Sequence, residues 1–350
     1  MALAYKLLDE GLVPDFILRR IVRVLSRQRL REIDRGSMEA NQESKMKWIE
    51  ELRGREVIAE AVDKANEQHY ELPASFMLAM LGPHGKYSSG LYPTGKETLD
   101  EAEVLMLESY CEKAQLKDGL RVLDLGCGWG SLSLFLAQKY PNSHITGLSN
   151  SRSQREYILN TARERGLENV EVITADLNYH EFPSNIKFDR IISIGALEHM
   201  KNYDALMTKI STWLHDEALL FIDIFCHQKM PYHFEDSDGW MSQHFFTGGT
   251  MPSYDMMLYF QSNLTLVRSW FVSGNHYALT FEDWIKRQDA NKKDALEALE
   301  KDALSKDRDS DYARLTFNRF RVFNVACAEF FALNGGDEWG SGHYLFKPKH

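Results

Sequence analysis

The 350-residue sequence has no uninterrupted apolar run approaching the roughly 18 residues that a bilayer-spanning helix requires. A membrane-embedded chain is therefore not expected. The first residues, Met1 to Asp9, lack the charged, apolar and small-residue succession of a secretory leader, so a cytoplasmic protein is expected. Basic excess is also missing. Lys and Arg number 41 against 51 Asp and Glu, for a net charge of −10, and phosphate backbones are bound by positive surface, so a nucleic-acid partner is disfavoured. The four cysteines, Cys111, Cys127, Cys226 and Cys327, form neither a close pair nor a dense framework, so neither a secreted disulfide scaffold nor a zinc site is expected. The histidines show no HxH or HExxH spacing, so no metal site is expected. No internal repeat or low-complexity tract is present. What remains is a chain that is 44% hydrophobic, ample for a sizeable core.

Residues 1–95 read as an N-terminal helical cover. Ile17, Ile21, Val24 and Leu25 recur at helical spacing as an apolar stripe. Arg19, Arg20, Arg23, Arg27, Arg29 and Arg31 occupy the other faces and predict a solvated side rather than a membrane or nucleic-acid patch, since Glu32 and Asp34 follow. Glu43 to Asn66 predicts a further helix. A Gly- and Pro-bearing loop over 81–93 follows, then a helix from Thr98 to Gln115.

Over 96–227 the texture changes to short apolar runs separated by helical stretches. Strands are expected near 121–125, 144–148, 170–174, 188–194 and 218–225, with helices near 130–139, 151–165 and 203–214. This alternation predicts an α/β fold with a doubly wound, mostly parallel sheet whose ligands bind at the carboxyl ends of the strands. Residues 228–262 and 281–338 read as a helical and aromatic insertion forming substrate-binding cover. A returning strand pair is expected at 264–273 and 342–347, giving one enlarged core rather than two independent domains.

The sharpest motif is Arg121-Val-Leu-Asp-Leu-Gly-Cys-Gly-Trp-Gly-Ser131, an apolar strand ending in Asp124 and followed by Gly126, Gly128 and Gly130 ahead of a helix. Glycines there permit a tight turn and close approach of a ligand to backbone at a helix N-terminus. Dinucleotide sites use GxGxxG with an acidic residue about 20 positions on, at the end of the next strand. Here the spacing is GxGxG, and the next strand ends in Ser149 and Asn150 without a carboxylate, so a pyrophosphate ligand is disfavoured.

The string instead resembles the first motif of the class I S-adenosylmethionine-dependent methyltransferases, which implies a Rossmann-like sheet and S-adenosylmethionine as cofactor. Asp176, just beyond the third strand, matches the acidic residue that this superfamily places beside adenine, although a plain turn-capping role is the alternative. The fourth strand ends at Ile194 and runs into Gly195-Ala-Leu-Glu-His-Met200, delivering Glu198 and His199 beside the methyl group. Lys86-Tyr-Ser-Ser89, Gly147-Leu-Ser-Asn-Ser-Arg-Ser-Gln154 and Phe188 to Met200 together resemble the cyclopropane-fatty-acid synthase-like methyltransferases. That group contains lipid acyl-chain modifiers and the plant coclaurine-type amine N-methyltransferases. Agreement with the amine branch extends through Gly11-Leu-Val-Pro14, Tyr70-Glu-Leu-Pro73, Thr98 to Glu103, Leu197 to Tyr203, Gly248-Gly-Thr-Met251 and Asn334 to Trp339.

The resemblance implies a cofactor site of Tyr87, Ser88, Asp124, Gly126, Gly128, Gly130, Ser149, Asn150, Gln154, Asp176, Leu177 and Ile194. It also implies catalysis by His199 as base or proton relay and by Glu198 as anchor of the ammonium, with the two roles exchangeable. Tyr70 and Glu71 match a Tyr-Glu pair reaching over the pocket, which would make Glu71 a further catalytic carboxylate near the amine, with a helix-surface acid as the alternative. The lipid branch holds a bicarbonate base with a Cys, a Glu, a His and a Tyr. Here Ser89 and Ile224 stand at the Cys and His positions, which argues against acyl-chain chemistry. Aromatic faces can hold both a flat ring and a cation, so Tyr92, Phe225, His227, Trp240, Phe245, Phe246 and Tyr254 are further substrate candidates. One departure stands out: coclaurine-type enzymes carry another Glu where this chain has Gly195, so the pocket loses a charge and gains volume. The expected partner is a small aromatic amine, with no nucleic acid and no stable membrane association. Dimerisation is a common state of related enzymes.

Overall fold

The computed structural model describes residues 2–59, 72–234, 239–245 and 248–349. Its centre is a seven-stranded sheet of β1 (Arg121–Leu125), β2 (His144–Ser149), β3 (Val170–Thr174), β4 (Phe188–Ile194), β5 (Leu214–His227), β8 (Leu264–Ser273) and β9 (Trp339–Pro348). The order across the sheet is β3-β2-β1-β4-β5-β9-β8. β1 to β5 run parallel, while β9 pairs antiparallel with both β5 and β8. The order reverses between β1 and β4, which is where a doubly wound sheet opens a crevice for ligands. A separate ribbon pairs β6 (Tyr232–His233) with β7 (Thr250–Met251).

Alternation along the strands sends side chains to two cores. On one face Val122, Ile145, Ile192 and Phe221 pack with Met106, Leu107 and Tyr110 of the helix Leu99–Lys113. On the other, Leu123, Ile191 and Leu220 meet Leu206, Met207 and Ile210 of the helix Tyr203–Trp213. Burial on both faces explains why these strands read as continuous apolar runs. The helix Leu99–Lys113 starts where the sequence places it, because Thr98 and Glu101 form a reciprocal capping box.

Three elements differ from the sequence reading. The helix expected over Glu43–Asn66 is Met38–Arg53, closed by Gly54, whose N–H reaches the carbonyls of Glu50 and Glu51 at 3.1 and 3.2 Å; residues beyond 59 in that range lie outside the described ones. The final helical region begins at Gly274 rather than 281, directly after β8, and comprises Gly274–Ala290, Lys292–Ser305 and Tyr312–Phe331.

The third difference concerns the helix Asp15–Ile33, which is turned opposite to its pattern. Ile17, Ile21, Val24 and Leu25 are 40%, 46%, 55% and 56% exposed, while Leu18, Ser26 and Ile33 are buried. Several charged groups face the body instead. Arg19 donates to Glu329 and Glu282, both at 3.0 Å, and Asp15 accepts from Arg321 at 2.7 Å. Half-buried ion pairs to two helices distant in sequence, with the arginine stems covering apolar surface, set this orientation. Local periodicity carries no information about them.

Candidate functional site

Two adjoining cavities open at the carboxyl ends of β1 to β5. The first is lined by Asp124, Gly126 and Gly128 from the end of β1, Ser149, Asn150 and Gln154 from the end of β2, and Asp176 and Leu177 from the end of β3. Ile194 closes it at β4, and Tyr87 and Ser88 from the preceding loop complete it. These are the residues that the resemblance groups as a cofactor site. Gly130 differs: it caps the helix Ser131–Lys139 with φ of +79°, and a Cβ there would stand 2.5 Å from Ile158 Cγ1. It builds the turn without forming the wall.

The polar groups of this cavity suit a nucleoside carrying an amino acid. Gly126 and Gly128 hold φ of +83° and +52°, conformations that L side chains rarely adopt, and so keep backbone exposed at the turn. Asp124 accepts from Ser133 Oγ at 2.7 Å, and burial pushes its carboxyl up to about 6. Gln154 Oε1 accepts from Ser149 Oγ at 2.7 Å. Its Nε2 is buried with no partner among the described residues, as is Trp129 Nε1. Orphaned donors are costly unless a ligand satisfies them, and both belong to residues of the cavity wall. Asp176 both lines the cavity and accepts from Asn178 N at 2.8 Å, so its turn-capping and wall positions coexist.

The second cavity, of about 480 Å³, shares Tyr87, Gly195 and His199 with the first. Glu198 and Phe225 also line it. Glu198 and His199 sit in a single 3₁₀ turn, Leu197–His199, immediately beyond β4. The backbone here is fixed by β5: Gly195 N donates to Asp223 O at 3.0 Å, and Phe225 N donates to Glu198 Oε1 at 3.1 Å. Glu198 Oε2 is buried and has no hydrogen-bond partner among the described residues.

Burial pushes the Glu198 carboxyl up to about 8. A carboxyl whose folded pKa is raised adds stability below its unfolded value near 4.5, and that contribution is lost as pH climbs through 8. The variant Glu198→Gln should therefore gain unfolding temperature relative to the natural chain at pH 9 and gain less at pH 6. Equal shifts at both pH values would refute a buried, protonated carboxyl.

The remaining wall is aromatic. Tyr277, Phe281 and Trp284 project from the helix Gly274–Ala290, and Phe323, Phe330 and Phe331 from Tyr312–Phe331. Phe281 meets Trp284 edge-on at 4.9 Å, and Tyr277 lies 4.5 Å from Phe331. Trp284 Nε1 is buried without a partner among the described residues. Val22, Leu25 and Arg29 of the helix Asp15–Ile33 line the same cavity.

Several substrate candidates are not brought to this cavity. Tyr92 donates its hydroxyl to Asp283 at 2.9 Å. The His227 Nδ1 accepts from Met230 N at 2.8 Å and its ring packs on Trp339. Trp240 donates to Asp9 at 2.8 Å, and Phe245 stacks on Phe323 at 4.4 Å, behind the wall. Tyr254 packs against Phe271 and Tyr344 near the far strands. Tyr70, Glu71 and Phe246 lie outside the described residues. From the segment that holds Trp240 and Phe245, Met241 and Ser242 line the cavity instead, together with Met251. The better signal is the spacing of Tyr277, Phe281 and Trp284, which puts three rings on one helix face.

Comparison with known proteins agrees with this geometry. Residues 59–330 match the family model for mycolic acid cyclopropane synthetase. The chain is 40% identical over 348 residues to (S)-coclaurine N-methyltransferase of Thalictrum flavum subsp. glaucum, covering 98% of this chain and 95% of that one. It is 37% identical to pavine N-methyltransferase of the same plant, covering 98% and 96%. Among solved structures, that of a coclaurine N-methyltransferase bound to N-methylheliamine and S-adenosylhomocysteine superposes with a TM-score of 0.92 at 38% identity, covering 99% of each chain. These relatives favour amine chemistry over acyl-chain modification. The chain belongs to the mycolic acid cyclopropane synthetase family and, within it, to the S-adenosylmethionine-dependent amine N-methyltransferases of the coclaurine type.

Proposed function

We propose that this enzyme methylates the nitrogen of a small aromatic amine or alkaloid of phenylalkylamine or benzylisoquinoline type. The observation that carries the reading is the wall common to both cavities, Tyr87, Gly195 and His199, with Glu198 immediately beside it. S-adenosylmethionine, when bound, supplies an electrophilic methyl group on a cationic sulfur. The residues named for the first cavity would hold it there.

The chain's own contribution is binding, alignment and proton handling. An amine arriving as an ammonium has no lone pair, so one N–H proton must leave before or during attack. Glu198 offers an unsatisfied carboxyl oxygen in an apolar cavity, where attraction to a cation is stronger than in water. Loss of the Glu198 proton on arrival of the ammonium would leave a carboxylate that fixes the nitrogen. His199, on the shared wall, is the proposed base or relay. Rings from the helices Gly274–Ala290 and Tyr312–Phe331 would take up the aromatic part and exclude water. Gly195 leaves room beside the nitrogen for a bulky substituent, since among the described residues a Cβ there would meet only Ser88 Cβ, at 3.8 Å.

In this reading residues 1–95, 228–262 and 274–338 are cover over a core of 96–227 completed by β8 and β9. All four cysteines are free thiols, in keeping with a reducing, cytoplasmic setting. The testing experiment is an amine panel with mass-spectrometric readout. A mass gain of one methyl group on phenylalkylamines or tetrahydroisoquinolines is expected. Methylation confined to non-aromatic amines would overturn the substrate class.

A further inference from the structure

Lys86 is a buried cation, 1% exposed, and lines neither cavity. Its three ammonium hydrogens are all committed: to Ser88 Oγ at 2.5 Å, to Ser89 O at 2.7 Å and to Tyr110 OH at 3.1 Å. Tyr110 in turn donates to Asp223 Oδ2 at 2.5 Å, and Asp223 lies 3.4 Å from His343 Nε2. The other nitrogen of His343 meets Lys113 Nζ at 2.8 Å. Burial pushes Lys86 down only to about 8, while Asp223 is held at about 2, largely by His343 and Lys86 against the cost of its burial. Lysine cation and aspartate anion therefore coexist at neutral pH.

A charge pair joined through a tyrosine hydroxyl has no need of a serine, yet the lysine's shortest bond goes to Ser88, a wall residue of the cofactor cavity. Accepting from the ammonium occupies a lone pair of Ser88 Oγ and turns its own O–H away from the lysine, toward either the Tyr110 oxygen or a ligand in the cavity that Ser88 lines. Among the described residues, no Lys or Arg lines that cavity. The cofactor nevertheless carries one anionic group, the carboxylate of its amino-acid part. A buried cation next to a ligand whose sulfur is itself cationic would oppose binding unless the anionic end lay nearer.

We propose that Lys86 is the positioning cation for the carboxylate of the cofactor, acting through the Ser88 hydroxyl that it orients. Calorimetric binding of two ligands separates this role from simple support of the loop. S-adenosylhomocysteine carries the carboxylate; 5′-methylthioadenosine has the nucleoside and thioether without it. In Lys86→Met the Kd for S-adenosylhomocysteine should rise about 10- to 100-fold, the scale of one charge-assisted hydrogen bond, while that for 5′-methylthioadenosine stays within about twofold. Ser88→Ala should show the same split, and it serves if Lys86→Met fails to fold. The double variant should weaken S-adenosylhomocysteine no further than Lys86→Met does, because the two residues act in series. Equal weakening of both ligands, no weakening of either, or additive losses in the double variant would overturn the proposal.

Discussion

Replacing Glu198 with Gln should lower kcat/KM for the amine on the order of 10²- to 10⁴-fold, the range expected when an acid–base group is removed, with affinity for S-adenosylhomocysteine nearly unchanged. The substitution keeps volume and one hydrogen bond, since an amide oxygen can still accept from Phe225 N. It replaces the unsatisfied Oε2 by an NH₂ group, which would present hydrogens to an ammonium. Binding and proton transfer should both suffer, so KM rises as kcat falls. Because burial pushes the Glu198 carboxyl up to about 8, amine binding at pH 7 should release a proton. Calorimetry in buffers of different ionisation heat detects that release, and the Gln variant should lose it. Comparison with His199→Ala assigns the two roles. If the Ala variant abolishes kcat while Gln at 198 mainly raises KM, His199 is the base and Glu198 the anchor; the reverse pattern exchanges them. Full activity in the Gln variant would remove Glu198 from the mechanism.

A methyl group at position 274 should be nearly as damaging, though the residue touches neither cavity. A Cβ on Gly274 would fall 2.1 Å from the carbonyl oxygen of Trp339 and 2.5 Å from that of Phe331. Both obstacles are backbone, at the start of β9 and the end of the helix Tyr312–Phe331, so no side chain can swing aside. Gly274→Ala should cost on the order of 3 kcal/mol in denaturant unfolding, at the upper end of ordinary overpacking. The damage should reach function selectively. The helix Gly274–Ala290 starts at this glycine and carries Tyr277, Phe281 and Trp284, and its neighbour carries Phe323, Phe330 and Phe331. Displacing the two helices should raise KM for the amine more than Kd for S-adenosylhomocysteine, whose cavity is built at the ends of β1 to β4. A variant as stable as the natural chain would show that the three backbones do not meet so closely.

Legibility in the sequence followed the range of the forces involved. The parallel strands, the glycine turn after β1 and the Glu198-His199 turn after β4 are written in consecutive residues. A strand buried on both faces must be apolar throughout, and its last residue and the following turn necessarily lie at the sheet's carboxyl edge. That is why consecutive residues alone put Asp124, Ser149, Asp176 and Glu198 at this edge. Tyr277 and Phe330 converge on one cavity across 53 positions only through the packing of two helices, and Lys86 finds its counter-charge in Asp223 across 137. The outward turn of Ile17, Ile21 and Val24 likewise follows from arginine pairing with acids hundreds of residues away. Local pattern tells which face of a helix is apolar. Which face is buried, and which rings enclose a substrate, depends on partners that the chain supplies only after it has folded.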